Sequence, residues 1–413
     1  MRRYRIHFYL NVAFMLLFVS VSSIGHAQVA TLPDIDTSGA ANGIVPFPPG
    51  TPDVFADTFT KYTKLVAPNG KPIHFIVQDA WSDDQILKAR NIMEHILTDY
   101  PGSRYGDNKA VVANSMGNKK ATMTLFNTSA TARDWRRGST DLFTQSLWAT
   151  ETTAEGTDDY MNHATRDAAY EEVLHLVQGS GIIPTLTEYQ AQIKAAEGAA
   201  TATGWGPPND QPNEWHYEYF AQLLDIYLDL WVVQPTKWEG TDLAPGEMPE
   251  GTAHRGQNQS NSREELMALD PVGFGIVEQF FHPYLTYTPL MPIDFEGTFS
   301  IKLDKSKSYT YKSQHLRNVT LRGENNVSLT GNRHANVLTG NAGKNTLSGG
   351  GGDDRLNGNQ GQDTAVFSGT REEYAVTRKD GYVTVRDTRL NRDGADTLTS
   401  IELLQFSDGK VEL

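Results

Sequence analysis

The sequence predicts a multidomain chain. A mostly helical α+β domain over residues 59–293 precedes an all-β coil of short repeated units. Three observations carry this prediction. Amphipathic helical patterns recur up to Pro292 with a few alternating, strand-like stretches between them. Beyond Asp294 the composition turns abruptly to Gly, Asn, Thr and Asp. From Arg322 a nine-residue period sets in. At 413 residues, with 38% hydrophobic and 21% charged residues, the chain can bury two cores. Its 50 acidic against 36 basic residues give a net charge of −14, which argues against nucleic acid as a partner. It has no cysteine, so neither disulfides nor thiolate metal ligands are available.

Taken in order, residues 1–27 have the three parts of a cleavable export signal: Arg2, Arg3 and Arg5, an apolar run from Val12, and small residues before Gln28. This places the protein outside the cell or at its surface, with no membrane span once the signal is removed. Residues 28–58, rich in Pro, Gly, Asp and Thr, read as a flexible linker. "KPIHFIVQDA" reads as a strand. "SDDQILKARNIMEHILTDYP" reads as a helix, with Ser82 as N-cap and Ile86, Leu87, Met93, Ile96 and Leu97 on one face. "ATMTLFN" and "QSLWATET" alternate like strands. "TRDAAYEEVLHLVQGSG" is a helix stopped by glycine, "NEWHYEYFAQLLDIYLDLWVV" another, and "REELMALDPVGFGIVEQFFHPYL" one further helical passage. Residues 294–321 read as a linker and strand entry to the repeats.

In steps of nine the tail reads "RGENNVSLT", "GNRHANVLT", "GNAGKNTLS", "GGGGDDRLN" and "GNQGQDTAV" over residues 322–366. The eighth position is Leu329, Leu338, Leu347, Leu356 and Ala365; the sixth is Asn336, Asn345, Asp354 and Asp363 in the last four units. Such a period implies a solenoid with one turn and one short strand per unit, the eighth residue stacking inside. Glycine lets each turn take positive φ and expose carbonyls. The sixth-position oxygen completes an oxygen cage suited to calcium.

This array resembles the hemolysin-type calcium-binding repeats of RTX proteins. The resemblance implies a parallel β-roll at 322–366, closed by a strand-rich β cap at 367–413. It also implies that turns two units apart share an ion. Carried over by position, Asp354 and Asp363 are side-chain ligands and Asn345 and Asn336 weaker partners, in turns shaped by Gly340, Gly343, Gly349, Gly350, Gly352, Gly358 and Gly361. Only the unit at 349 has the full GGxGxD form, and Arg333 and His334 interrupt another turn. One or two occupied sites are therefore expected.

In the N-terminal domain, "Glu171-Glu172-Val173-Leu174-His175" resembles the HExxH motif of zincin metallopeptidases with its first ligand replaced. "EYFAQ" from Glu218 resembles the glutamate helix of Glu-type zincins. The resemblance implies a zincin-like fold in which Glu171, His175 and Glu218 ligate zinc or another divalent transition metal and Glu172 is the general base. Two carboxylates and one imidazole would leave metal-bound water a poorer nucleophile than His₂Glu ligation does. Against this, Asp167, Glu171 and His175 also form an ordinary polar stripe at i, i+4, i+8. Two functional readings follow. One is a secreted calcium-binding protein with a divergent or inactive metallohydrolase domain. The other is a non-catalytic surface or adhesion protein whose helical domain binds a protein or peptide partner.

Overall fold

The computed structural model describes residues 29–133, 135, 139–202, 215–238, 240–244, 261–379 and 381–413. The expected export signal at 1–27 lies outside them. The N-terminal domain is built on a five-stranded sheet in the order β1 (Val45–Pro46), β2 (Lys61–Val66), β3 (Pro72–Val77), β4 (Ala121–Phe126) and β5 (Phe143–Trp148). β1 and β3 each run antiparallel to β2, and β3, β4 and β5 run parallel. A parallel β3–β4 step needs a crossover. It is supplied by α1 (Asp83–Leu97) and α2 (Ala110–Asn118). Ser82 caps α1 as its sequence requires: its hydroxyl accepts the Gln85 N–H at 3.2 Å, and Ile86, Met93 and Ile96 are buried along the inner face.

Both faces of the sheet are covered, which is why all six residues of β4 are buried. On one face lie α1 and α3 (Ala169–Val177), sharing the large core. On the other lies the segment expected to be a flexible linker. Leu32, Ile35 and Phe55 pack there with Phe59, Tyr62, Ile76, Phe126 and Trp135. Its apolar residues are spaced irregularly among Pro and Gly and give no periodic signal, yet they suffice to close the sheet.

The glycines after α3 do not stop the helix. The chain continues through a wide π turn at Gln178–Ile182 and then Ile183–Thr185. Packing explains them, since a Cβ on Gly181 would lie 2.5 Å from Val112 and one on Gly179 would lie 3.0 Å from the Phe143 ring. The later helices are α4 (Thr187–Ala202), α5 (Trp215–Tyr227), α6 (Arg263–Leu269) and α7 (Pro271–Glu278). The single helical passage expected at 263–285 divides at Asp270-Pro271, where Pro271 has no N–H to continue a helix and Asp270 caps the Gly273 N–H at 2.8 Å.

The tail coils into two facing six-stranded sheets. One runs β17 (Gly409–Glu412), β16 (Leu403–Phe406), β12 (Thr364–Val366), β10 (Thr346–Ser348), β8 (Val327–Thr330) and β6 (Gly297–Ser300). The other runs β13 (Tyr374–Lys379), β14 (Tyr382–Asp387), β15 (Ala395–Thr399), β11 (Arg355–Asn357), β9 (Val337–Thr339) and β7 (Asn318–Thr320). Successive units therefore alternate between sheets and pair two units apart: Leu329 with Leu347, Leu338 with Leu356, Leu347 with Ala365. The eighth-position side chains are at most 1% exposed. The lead-in segment supplies the first strand of each sheet, with Phe299 opposite Leu329 and Val319 opposite Leu338. These residues merge the roll's core with that of the N-terminal domain.

Candidate metal centres

Within the roll, two kinds of turn can be told apart. In the turns at 331 and 340 the sixth residue is an amide that satisfies itself. Asn336 Oδ1 accepts the Asn332 N–H at 2.9 Å while its Nδ2 donates to Arg317 O at 3.1 Å. Asn345 Oδ1 accepts the Asn341 N–H at 2.8 Å, and its Nδ2 donates to Asn341 Oδ1 at 3.0 Å. In the turns at 349 and 358 the sixth residue is an acid that remains half satisfied. Asp354 Oδ1 accepts the Asn336 N–H and Asp363 Oδ1 the Asn345 N–H, each at 2.7 Å. Their Oδ2 atoms are buried without a hydrogen-bond partner among the described residues.

Burial pushes the Asp354 carboxyl up to about 7. Burial, with nearby Glu402 adding to it, pushes Asp363 up to about 6. A buried carboxylate oxygen with no partner is costly. Both turns are thus poised for a cation with oxygen ligands, and the residues present fit calcium. Glycine is needed around them for two reasons. Gly350, Gly352 and Gly361 have φ of +88°, +103° and +119°. At Gly340, Gly343, Gly349 and Gly358 a Cβ would come within 2.0–2.4 Å of a neighbouring oxygen.

The sequence model for the RTX calcium-binding nonapeptide repeat (4 copies) matches residues 330–365. This stretch is an RTX calcium-binding repeat array. No curated protein matches the chain. Among solved structures, the crystal structure of the extracellular lipase LipA from Serratia marcescens aligns at 18% identity, over 19% of this chain and 14% of the lipase, with a TM-score of 0.11. The chain therefore spans a small part of that lipase's length.

The second cluster sits where α3 faces α5 and β5. One ligand atom from each of Glu171, Glu172 and His175 falls within 4.8 Å of the others. Glu218, on α5, approaches from the far side of the imidazole. His175 Nδ1 lies 3.5 Å from Glu172 Oε2, and Nε2 lies 3.9 Å from Glu218 Oε1. The two glutamates thus address opposite nitrogens. Gln145 on β5 donates to Glu172 Oε2 at 2.5 Å, and the Tyr217 ring meets His175 edge-on at 6.0 Å. Burial disfavours an imidazolium, but the Glu218 and Glu172 carboxylates outweigh it and push His175 up to about 9. Burial also disfavours ionised Glu172, yet its bonds with His175 and Gln145 hold it below the usual range.

Glu171, expected as the first ligand, is ion-paired with Arg166. Arg166 in turn stacks over Trp238 at 4.8 Å. Of the expected set, Glu171 and His175 thus fall in one cluster with Glu172, Glu218 reaches the imidazole from its other nitrogen, and Arg166 supplies a positive charge beside Glu171. Sequence reasoning missed Arg166 and Gln145. Arg166 falls inside the helix expected from Thr165, five residues from Glu171 and so off its face, whereas the helix begins only at Ala169 and leaves Arg166 in the preceding segment. Gln145 comes from a strand distant in sequence.

Proposed function

We propose that the chain is an exported protein stabilised by calcium in its tail, whose N-terminal domain is a divergent, non-hydrolytic variant of the zincin arrangement. The observation that carries the calcium half is the pair of buried, unpartnered oxygens on Asp354 and Asp363. Millimolar external calcium would neutralise them, while the low calcium inside a cell would not, so ordering of the tail is coupled to export. The signal-like residues 1–27 support the same route.

The observation that carries the non-hydrolytic half is the Arg166–Glu171 pair. A guanidinium there substitutes for a metal's charge, and His175 is held as a cation between Glu172 and Glu218. On this reading the domain serves as a partner-binding or display surface. One observation favours a metallohydrolase instead: His175 Nε2 is buried with no hydrogen-bond partner among the described residues. Were a zinc or similar ion held by Glu171, His175 and Glu218, it would supply Lewis acidity, with Glu172 positioned to hold a proton. Elemental analysis of the purified protein separates the two. We expect no stoichiometric transition metal in wild type. A stoichiometric metal that disappears in His175→Ala would overturn the non-hydrolytic reading.

A further inference from the structure

We infer that the cap contributes two displaced repeat units to the roll, at 391–399 and 400–405, and that their acids, Asp396 and Glu402, complete calcium sites with Asp354 and Asp363. This deepens the calcium reading above and rests on it. The repeat match ends at residue 365, and the nine-residue phase is lost there because residues 367–390 intervene. That insertion folds into the antiparallel hairpin β13–β14, which pairs along the edge of β15.

Beyond the insertion the roll resumes in register. β15 pairs parallel with β11, placing Leu398 against Leu356, and β16 pairs parallel with β12, placing Leu404 against Ala365. Both leucines are at most 1% exposed, like the eighth-position residues before them. The backbone bonds between turns are reproduced as well. Thr397 N–H donates to Asp354 O at 2.8 Å, as Arg355 N–H does to Asn336 O at 2.8 Å. Leu403 N–H donates to Asp363 O at 3.0 Å, as Thr364 N–H does to Asn345 O at 2.9 Å.

The side-chain bonds are reproduced too, by Asp396, which is 2% exposed, and by Glu402, which is exposed. Asp396 Oδ1 accepts the Asp354 N–H at 3.0 Å, the bond that Asp354 makes to Asn336. Glu402 Oε2 accepts the Asp363 N–H at 2.7 Å, the bond that Asp363 makes to Asn345. Read from its own start, "NRDGADTLT" at 391–399 carries Gly394, Asp396 and Leu398 at positions four, six and eight. The unit at 400–405 is three residues short, and the longer glutamate side chain reaches the same N–H.

The burial and the aim of two carboxylate oxygens point to a ligand rather than to a mere acidic cluster. Asp354 and Asp363 are 1% and 0% exposed, and their Oδ2 atoms lack partners. Those atoms point into the turns, since a Cβ on Gly349 would lie 2.0 Å from Asp354 Oδ2 and one on Gly358 would lie 2.4 Å from Asp363 Oδ2. The Ser400 carbonyl, 2.0 Å from that same Gly358 position, lines the second turn as the Gly349 carbonyl lines the turn at Gly331. The basic residue within the displaced unit, Arg392, is engaged elsewhere, with Asp387 and Glu373. Carboxylate and carbonyl oxygens in this number suit calcium.

The test uses the full chain, calcium alone as the probe, and binding measured by calorimetry or flow dialysis in chelator-treated buffer. Asp396→Asn and Glu402→Gln retain an acceptor for the Asp354 and Asp363 N–H groups, so the fold is kept, as circular dichroism will check. The control is Glu372→Gln, an exposed cap acid outside the turns. Each turn variant should bind one calcium fewer, or bind one about tenfold more weakly, with the control matching wild type. Wild-type binding in both turn variants, or an equal loss in the control, would overturn this inference and leave the array reading intact. No calcium bound by wild type would overturn the array reading itself.

Discussion

Asp354 and Asp363 concentrate the chemistry of the tail at single side chains. Burial raises both in the ion-free protein. A carboxyl whose folded value is raised contributes stability below its unfolded value, near 4, that is lost as pH climbs through the folded value. In chelator the roll should therefore lose stability from about pH 4 through pH 7, and on towards pH 9, because burial and the neighbouring Asp354 charge push Asp396 up to about 9 as well. Calcium should flatten that slope, and replacing both acids by Asn, which copies the amides at Asn336 and Asn345, should reduce it and leave the Asp396 part. Thermal melts across this range, followed by circular dichroism, check it. A melting temperature that rises over the same interval in chelator would contradict it. The Glu and His residues of α3 were visible in the sequence, but their partners were not. The motif made Glu171 a candidate ligand, and only the fold shows that Arg166, from outside the helix, is ion-paired with that carboxylate.

At the scale of elements, the repeat phase was legible because a solenoid writes its contacts into a fixed spacing. Leu329, Leu347 and Ala365 stack in one sheet for that reason. Leu347→Ala should cost about 2–5 kcal/mol, measured by denaturant unfolding, because it opens a cavity between two neighbours that cannot collapse far. A cost below about 0.5 kcal/mol would mean that the stack is not packed as described. The helix over 83–97 was equally legible, through the Ser82–Gln85 cap and an apolar stripe. Two elements were not. Residues 29–58 scatter their apolar groups among Pro, Gly and Asp without a period, and only the sheet's second face gives Leu32 and Phe55 a reason to be there. The cap units were hidden because the 367–390 hairpin displaces Asp396 from the nine-residue phase.

Across the whole molecule, the two halves are joined through one core rather than by a linker. Residues 285–321 thread between them, with short bridges Leu285–Leu316 and Leu290–Thr320, and Arg322 pairs with Asp84 of α1 at 2.6 Å. The roll therefore starts on a preformed template. The turns nearest this template are held by asparagine amides, and the more distant ones end in unpartnered acids. Order should consequently spread outward from the N-terminal domain and reach the distal turns only with a cation present. No described helix is long and apolar enough to cross a membrane.

The most direct test is amide hydrogen exchange across residues 330–413 of the full chain, in chelator and in millimolar calcium. Calcium should confer strong protection on the Arg355, Thr364, Thr397 and Leu403 amides, whose bonds tie the distal turns together. Protection of those amides that is the same with and without the ion would contradict the account.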